Sequence, residues 1–171
     1  LRAESINVLD GTRCPLELRP SKARDFRHGF ASMVKFFPEG RTLTAQLEEA
    51  LWDELIGLGA SASPVIFDDQ YIATGGQFYE LIAGHDRMVA DLRPIMLSLL
   101  DIDSTLVCHP YDVCAWPVLV EAGVIYEAPD GGFPDAPMDT TSPVAWVGFP
   151  NEVLADLARP VLHKLLAQMV S

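Results

Sequence analysis

The chain is poor in positive charge. Only 12 Lys and Arg stand against 24 Asp and Glu, for a formal net charge of −12. A broad basic surface for nucleic acid is therefore not expected. A phosphate-bearing ligand remains compatible with this balance if a divalent cation mediates it. Otherwise the acid serves solubility alone. Long apolar runs are also missing. Stretches such as Cys114 to Val120 fall far short of the ~20 residues that a membrane helix needs, so no membrane partner is expected. The opening residues, LRAESINVLD, hold no apolar signal core. The chain starts with Leu rather than Met, and a removed leader or a fragment is the expectation. Cysteines are few: Cys14, Cys108 and Cys114 sit far apart, with no CxxC and no zinc spacing to His28, His85, His109 or His163. A reducing cytoplasm is the simplest compartment, with the thiols read as buried packing residues.

What is present is an ordinary globular composition. Hydrophobic residues make up 49% and charged residues 21% of 171 residues, which excludes general disorder. A chain of this length buries roughly 70% of its unfolded surface. Asp10-Gly11 before the weakly alternating residues 12–19 is a hairpin signal. Residues 29–37 read as a buried strand closed by Pro38-Glu39-Gly40. Leu43, Leu47, Ala50, Leu51, Leu55 and Leu58 recur at helical spacing, with Thr42 or Thr44 as caps and Gly57 or Gly59 as stops. Val65-Ile66-Phe67 is a short strand. Thr74-Gly75-Gly76 opens a helical segment to Ala83, and Met88 to Leu92 is a strand. A short helix over 94–100 follows.

Pro110 in a first turn predicts a helix over 110–122. Strands at 124–126 and 144–149 flank a loop rich in Pro and Gly. Asn151 caps a last helix to about Val170, kinked at Pro160. Strands alternating with helices indicate an α/β protein with a layered mixed sheet and packed helices.

Three features can carry chemistry. Thr74-Gly75-Gly76 leads into a helix, where small residues and free N–H groups admit an anion; a plain turn is the bland alternative. Asp91 ends an apolar strand, where its carboxylate can accept from a polyol hydroxyl or pair with Arg87 or Arg93. Asp112, in the stretch His109-Pro110-Tyr111-Asp112-Val113-Cys114-Ala115, lies in a predicted first helical turn. The helix dipole favours a carboxylate there with or without a metal.

Taken in order, these features resemble the inositol monophosphatase family of magnesium-dependent sugar phosphatases. The family's signature reads W-D-x-A-A/G, then an apolar helix and E-A-G-G. Here stand Tyr111-Asp112-Val113-Cys114-Ala115 and Val118-Leu119-Val120-Glu121-Ala122-Gly123. Ala128-Pro129-Asp130-Gly131-Gly132 is similar to the following D-x-D-G loop. Thr74-Gly75-Gly76, Ile82-Ala83-Gly84 and Asp91 occupy the places of a G-S/T-A helix start, its V-A-x-G end and an acid-terminated strand. The resemblance covers about residues 70–170, more loosely 5–37.

There are departures. Tyr111 replaces Trp, and Trp116-Pro117 stands where small residues are common. Asp91 and Asp112 are 21 positions apart, so residues 93–107 resemble an insertion. The helix at 43–58 looks extra. Leu9-Asp10-Gly11-Thr12 mimics the end of the family's D-P-I/L-D-G-T metal motif, but Asn7-Val8 replaces Asp-Pro. A hairpin turn and a degenerate metal motif are both open readings of it.

The resemblance implies that residues 1–171 form a single domain, the C-terminal half of a longer phosphatase. It implies Mg²⁺, with Asp112 as a metal ligand. Thr74, Gly75, Gly76 and Asp91 would be substrate-binding residues, and the substrate a sugar or inositol phosphate monoester. The fragment alone is expected to be inactive, either a homo-oligomer or lacking its N-terminal half. The alternative is a non-catalytic binding or scaffold domain of the same fold.

Overall fold

A computed structural model describes residues 2–57, 66–71, 73–103 and 106–170. Two strands, β1 (Ala3–Ile6) and β2 (Arg13–Leu16), form an antiparallel hairpin. Its loop closes on itself. The Asn7 and Thr12 backbones pair at 2.8 Å, and Asp10 Oδ1 accepts from the Thr12 N–H at 2.8 Å. Asp10 is thus a turn residue, which settles the reading of the Asp10-Gly11-Thr12 stretch.

The main sheet has five strands. In chain order they are β3 (Gly29–Met33), β4 (Ile66–Phe67), β5 (Asp86–Asp91), β6 (Ile125–Glu127) and β7 (Trp146–Phe149). In space the order is β4-β3-β5-β7-β6. The β4–β3–β5 pairs are parallel, and β7 runs antiparallel to both its neighbours. Side chains alternate through the sheet, as the two-residue strand period requires. Met88, Ala90, Val147 and Phe149 face one core, while Val89 and Trp146 face the other.

Helices cover both faces. α1 (Arg41–Ile56) and α5 (Glu152–Val170) pack on the first core through Leu47, Leu51, Trp52, Leu154, Ala158 and Leu162. α3 (Arg93–Leu99) adds Met96 to that side. α2 (Thr74–Ile82) and α4 (Trp116–Ala122) bring Phe78, Leu81 and Leu119 to the second. Each fully buried Leu or Phe contributes ~1.5–3 kcal/mol by leaving water. The predicted α/β layering is the observed architecture. Asn151 caps α5 as expected, its Oδ1 accepting from the Leu154 N–H at 3.1 Å, and Gly57 ends α1. Leu58, Gly59 and Val65 lie outside the described residues.

Several expectations are corrected. The strand at 29–37 stops at Met33. Beyond Val34, side chains take over the backbone: Gln70 Oε1 accepts from the Lys35 N–H, and Arg41 donates to the carbonyls of Lys35 and Phe36. Neither Thr42 nor Thr44 caps α1. The Thr44 hydroxyl bonds back to the Gly40 carbonyl at 3.1 Å, and Gly40 is the cap. The helix predicted over 110–122 begins only at Trp116. Pro117, not Pro110, is the first-turn proline. Its missing N–H and its ring would break any helix already running through residue 113. Gly123, at φ 88°, ends α4 in a left-handed conformation that glycine adopts without strain. Among the thiols, only Cys108 is buried; Cys14 and Cys114 are exposed.

Candidate functional site

The centre of the sheet points three sequence regions at one place. β5 ends there with Asp91. α2 starts there with Thr74. The segment 107–109 is pinned alongside by the Val144 N–H, which donates to the Cys108 carbonyl at 2.8 Å. Cys108 is the hub. Its thiol is buried, and the Thr74 hydroxyl and the carboxylates of Asp91 and Asp112 all act on it electrostatically. Burial first, then those two negative charges, push the thiol up to about 12. The Trp146 indole N–H also faces the sulfur but has no acceptor in good hydrogen-bond geometry. Thr74, Asp91 and Asp112 thus all bear on one sulfur, although 38 positions separate the outermost two.

Their environments differ sharply. Asp91 is 1% exposed and bonded on both oxygens by Arg93, at 2.9 and 2.6 Å. As a direct acceptor for a polyol hydroxyl it is occupied. Burial alone would weaken the charge of Arg93, but the hydrogen bond and charge of Asp91 outweigh it and hold the guanidinium above its ordinary pKa. Arg93 also donates to the Leu106 carbonyl and lies over the Phe36 and Phe37 rings.

Asp112 is the accessible acid. Its side chain is 32% exposed, and Oδ2 accepts from the His109 N–H at 2.9 Å. His109 Nδ1 stands 3.7 Å away, on a buried ring stacked against Tyr111. Because α4 starts after Asp112, this carboxylate is held by a local turn and not by a helix dipole.

At the start of α2, the N–H groups of Gly76 and Gln77 return to the Ala73 carbonyl, at 2.9 and 3.1 Å. The first amides, of Thr74 and Gly75, have no intrahelical acceptor by the geometry of a helix start. Gly75 has open space where a side chain would go. Gly76 does not: a Cβ would lie 2.1 Å from the Tyr71 ring. The smallness of Gly76 serves Tyr71, whose carbonyl is held in turn by Gln77 Nε2 at 2.8 Å. Reading the sequence alone missed Cys108 as the meeting point. A buried Cys two residues before a predicted first-turn proline gave no signal of its own.

Mg²⁺ takes six oxygens and is commonly held by one or two carboxylates plus phosphate and water. Asp112 supplies one such carboxylate and Asp91 is committed to Arg93. Among the described residues, no group of three His, Cys, Asp or Glu ligands gathers around Asp112. The residues fit Mg²⁺ as one ligand among several, not as a complete cage.

The fold is of the inositol monophosphatase type. A solved structure of 2′AMP-bound SaIMPase-II matches it with a TM-score of 0.51, at 12% identity, over 99% of this chain and 56% of that one. Likeness at that identity concerns the fold, a distant relationship. The chain spans little more than half the length of that neighbour. No family model matches the sequence, and no curated protein does. No helix among the described residues is long and apolar enough to cross a membrane.

Proposed function

We propose that this chain is the C-terminal half of a metal-dependent phosphatase that hydrolyses a phosphate monoester of inositol or another sugar or polyol. The observation that supports this most is the meeting of the α2 start with the accessible Asp112 carboxylate beside Cys108, on an inositol monophosphatase-type fold. In this reading the free amides of Thr74 and Gly75 take phosphate oxygens, with Gly76 shaping the turn. Asp112 holds the metal on the phosphate side. Asp91 binds the substrate hydroxyl only where the substrate shares its carboxylate with Arg93. Mg²⁺, when bound, neutralises phosphate and activates water. The remaining metal ligands come from a separate N-terminal half or from a second copy. The chain by itself then turns nothing over.

One observation favours a second reading, a non-catalytic binding or scaffold domain. Arg93 supplies a fixed positive charge that acts on Asp91, Cys108 and Asp112 together. A built-in cation there lessens the need for a metal.

The test is phosphate release from inositol and sugar monophosphates by the whole protein across a Mg²⁺ titration. Activity that collapses in Asp112→Asn supports the phosphatase. Full turnover by Asp112→Asn removes Asp112 from the metal site. An inactive whole protein favours the scaffold.

A further inference from the structure

A second cluster lies at the opposite end of the six-residue strand β5, five positions from Asp91 and so roughly 17 Å off. Glu80 is on the last turn of α2. His85 follows the helix, its N–H donating to the Glu80 carbonyl at 2.9 Å. Asp86 is the first residue of β5. The His85 ring is fixed by stacking on Phe30, with centroids 4.5 Å apart. Its Nδ1 stands 3.0 Å from Glu80 Oε2 and 3.3 Å from Asp86 Oδ1. One ligand atom from each of the three lies within 4.8 Å of the others.

This arrangement is not satisfied by protons alone. Nδ1 carries at most one N–H, so it cannot serve both carboxylates fully. The Asp86 side chain is 3% exposed, yet Oδ1 finds no hydrogen-bond partner. An unmet buried carboxylate oxygen is costly. Burial, opposed by His85 and reinforced by Glu80, pushes the Asp86 carboxyl up to about 6. A dication would meet all three ligands and balance both carboxylates.

We infer that Glu80 Oε2, His85 Nδ1 and Asp86 Oδ1 form a binding site for a zinc-class divalent cation. An imidazole with two carboxylates suits Zn²⁺; all-oxygen sites suit Mg²⁺. Bonds of ~2.1 Å put tetrahedral ligands ~3.4 Å apart, close to the spacings about Nδ1. The His85 side chain is 44% exposed, which leaves an open side for water as a further ligand. The cation ties the end of α2 to the start of β5. This site is separate from the one around Asp112 and does not depend on the proposed phosphatase activity.

The experiment is calorimetric titration of the chelator-treated 171-residue chain with ZnCl₂, in the presence of excess Mg²⁺. Cys14→Ser and Cys114→Ser remove the exposed thiols, and Asp112→Asn serves as a control. A single Zn²⁺ should bind in all these backgrounds. Both His85→Gln and Glu80→Gln should weaken it at least about tenfold, the lower end of what even supporting residues contribute to a metal site. Zn²⁺ should raise the melting temperature of the parent chain but not of these variants. Should His85→Gln fail to fold, Glu80→Gln, on a helix surface, carries the test. Binding no tighter than ~1 mM by the parent chain, or equal affinity in both variants, overturns the assignment.

Discussion

Both oxygens of the Asp91 carboxylate are held by the Arg93 guanidinium, Oδ1 by Nε at 2.9 Å and Oδ2 by Nη2 at 2.6 Å. The pair sits where β5 hands over to α3, and Asp91 is sealed from solvent. Breaking a buried pair by removing one partner costs about 3–5 kcal/mol, because a charge is stranded. Arg93→Met should therefore lose about that much in denaturant unfolding. Asp91→Asn with Arg93→Met should lose clearly less, since no charge is left behind. A single-variant loss under about 1 kcal/mol would mean that water reaches Asp91 and the pair is not buried in solution.

That pair also shows where the sequence stops being legible. β5 is readable because Met88-Val89-Ala90 is an apolar run, and α1 because its leucines repeat at helical spacing. The choice of Arg93 over Arg87 as the partner of Asp91 is not written in the spacing. Arg87 instead donates to the carbonyls of Asp25 and Arg27, in a segment some sixty positions earlier. The start of α4 lies at Trp116, later than Pro110 suggests, because a helix interior rejects Pro117. The gathering around Cys108 depends on strand order, which no local pattern encodes. Thr74, Asp91 and Asp112 were each legible as positions. Their mutual distance, and the guanidinium among them, were not.

Thiol chemistry offers a direct check on that gathering. Burial and the charges of Asp91 and Asp112 keep the Cys108 thiol protonated far above neutral pH, and only a thiolate reacts at a useful rate. With a thiol reagent at pH 8, Cys14 and Cys114 should be modified in the native chain and Cys108 only after denaturation. Mass spectrometry of the digested protein reads this directly. Rapid native labelling of Cys108 would show that the centre between β5 and the 107–109 segment is open.

The loop before β7 should be acid-resistant. Asp139 accepts from the N–H groups of Thr141 and Ser142 at 2.8 and 2.6 Å and from the Ser142 hydroxyl at 2.8 Å. These bonds, chiefly the backbone ones, lower its pKa from 3.8 to about 2. The folded value lies below the unfolded one, so the contribution is complete above about pH 4 and is lost as pH falls through about 2. Carboxyl carbon resonances should give Asp139 a midpoint near 2. A midpoint at the ordinary carboxylate value would show that the turn is not formed in solution.

The hairpin should govern self-association of the chain. β2 is exposed along its whole length, and in the loop Val8 and Leu9 are 93% and 92% exposed. Ile6 and Leu16 add further apolar surface. A two-stranded ribbon is only marginally stable alone and gains by pairing or packing, and an open strand edge is a template for another chain. We therefore expect concentration-dependent association in sedimentation velocity, with no phosphate release from inositol monophosphate even at high Mg²⁺. Replacing Val8 and Leu9 by Lys places charge on the exposed tip and should shift the chain toward monomer without altering its circular dichroism. A parent chain that stays monomeric at high concentration would show that the hairpin is stable as it stands. A monomer that also hydrolyses the substrate would show that these residues make a complete active site, and the half-enzyme proposal would fall with it.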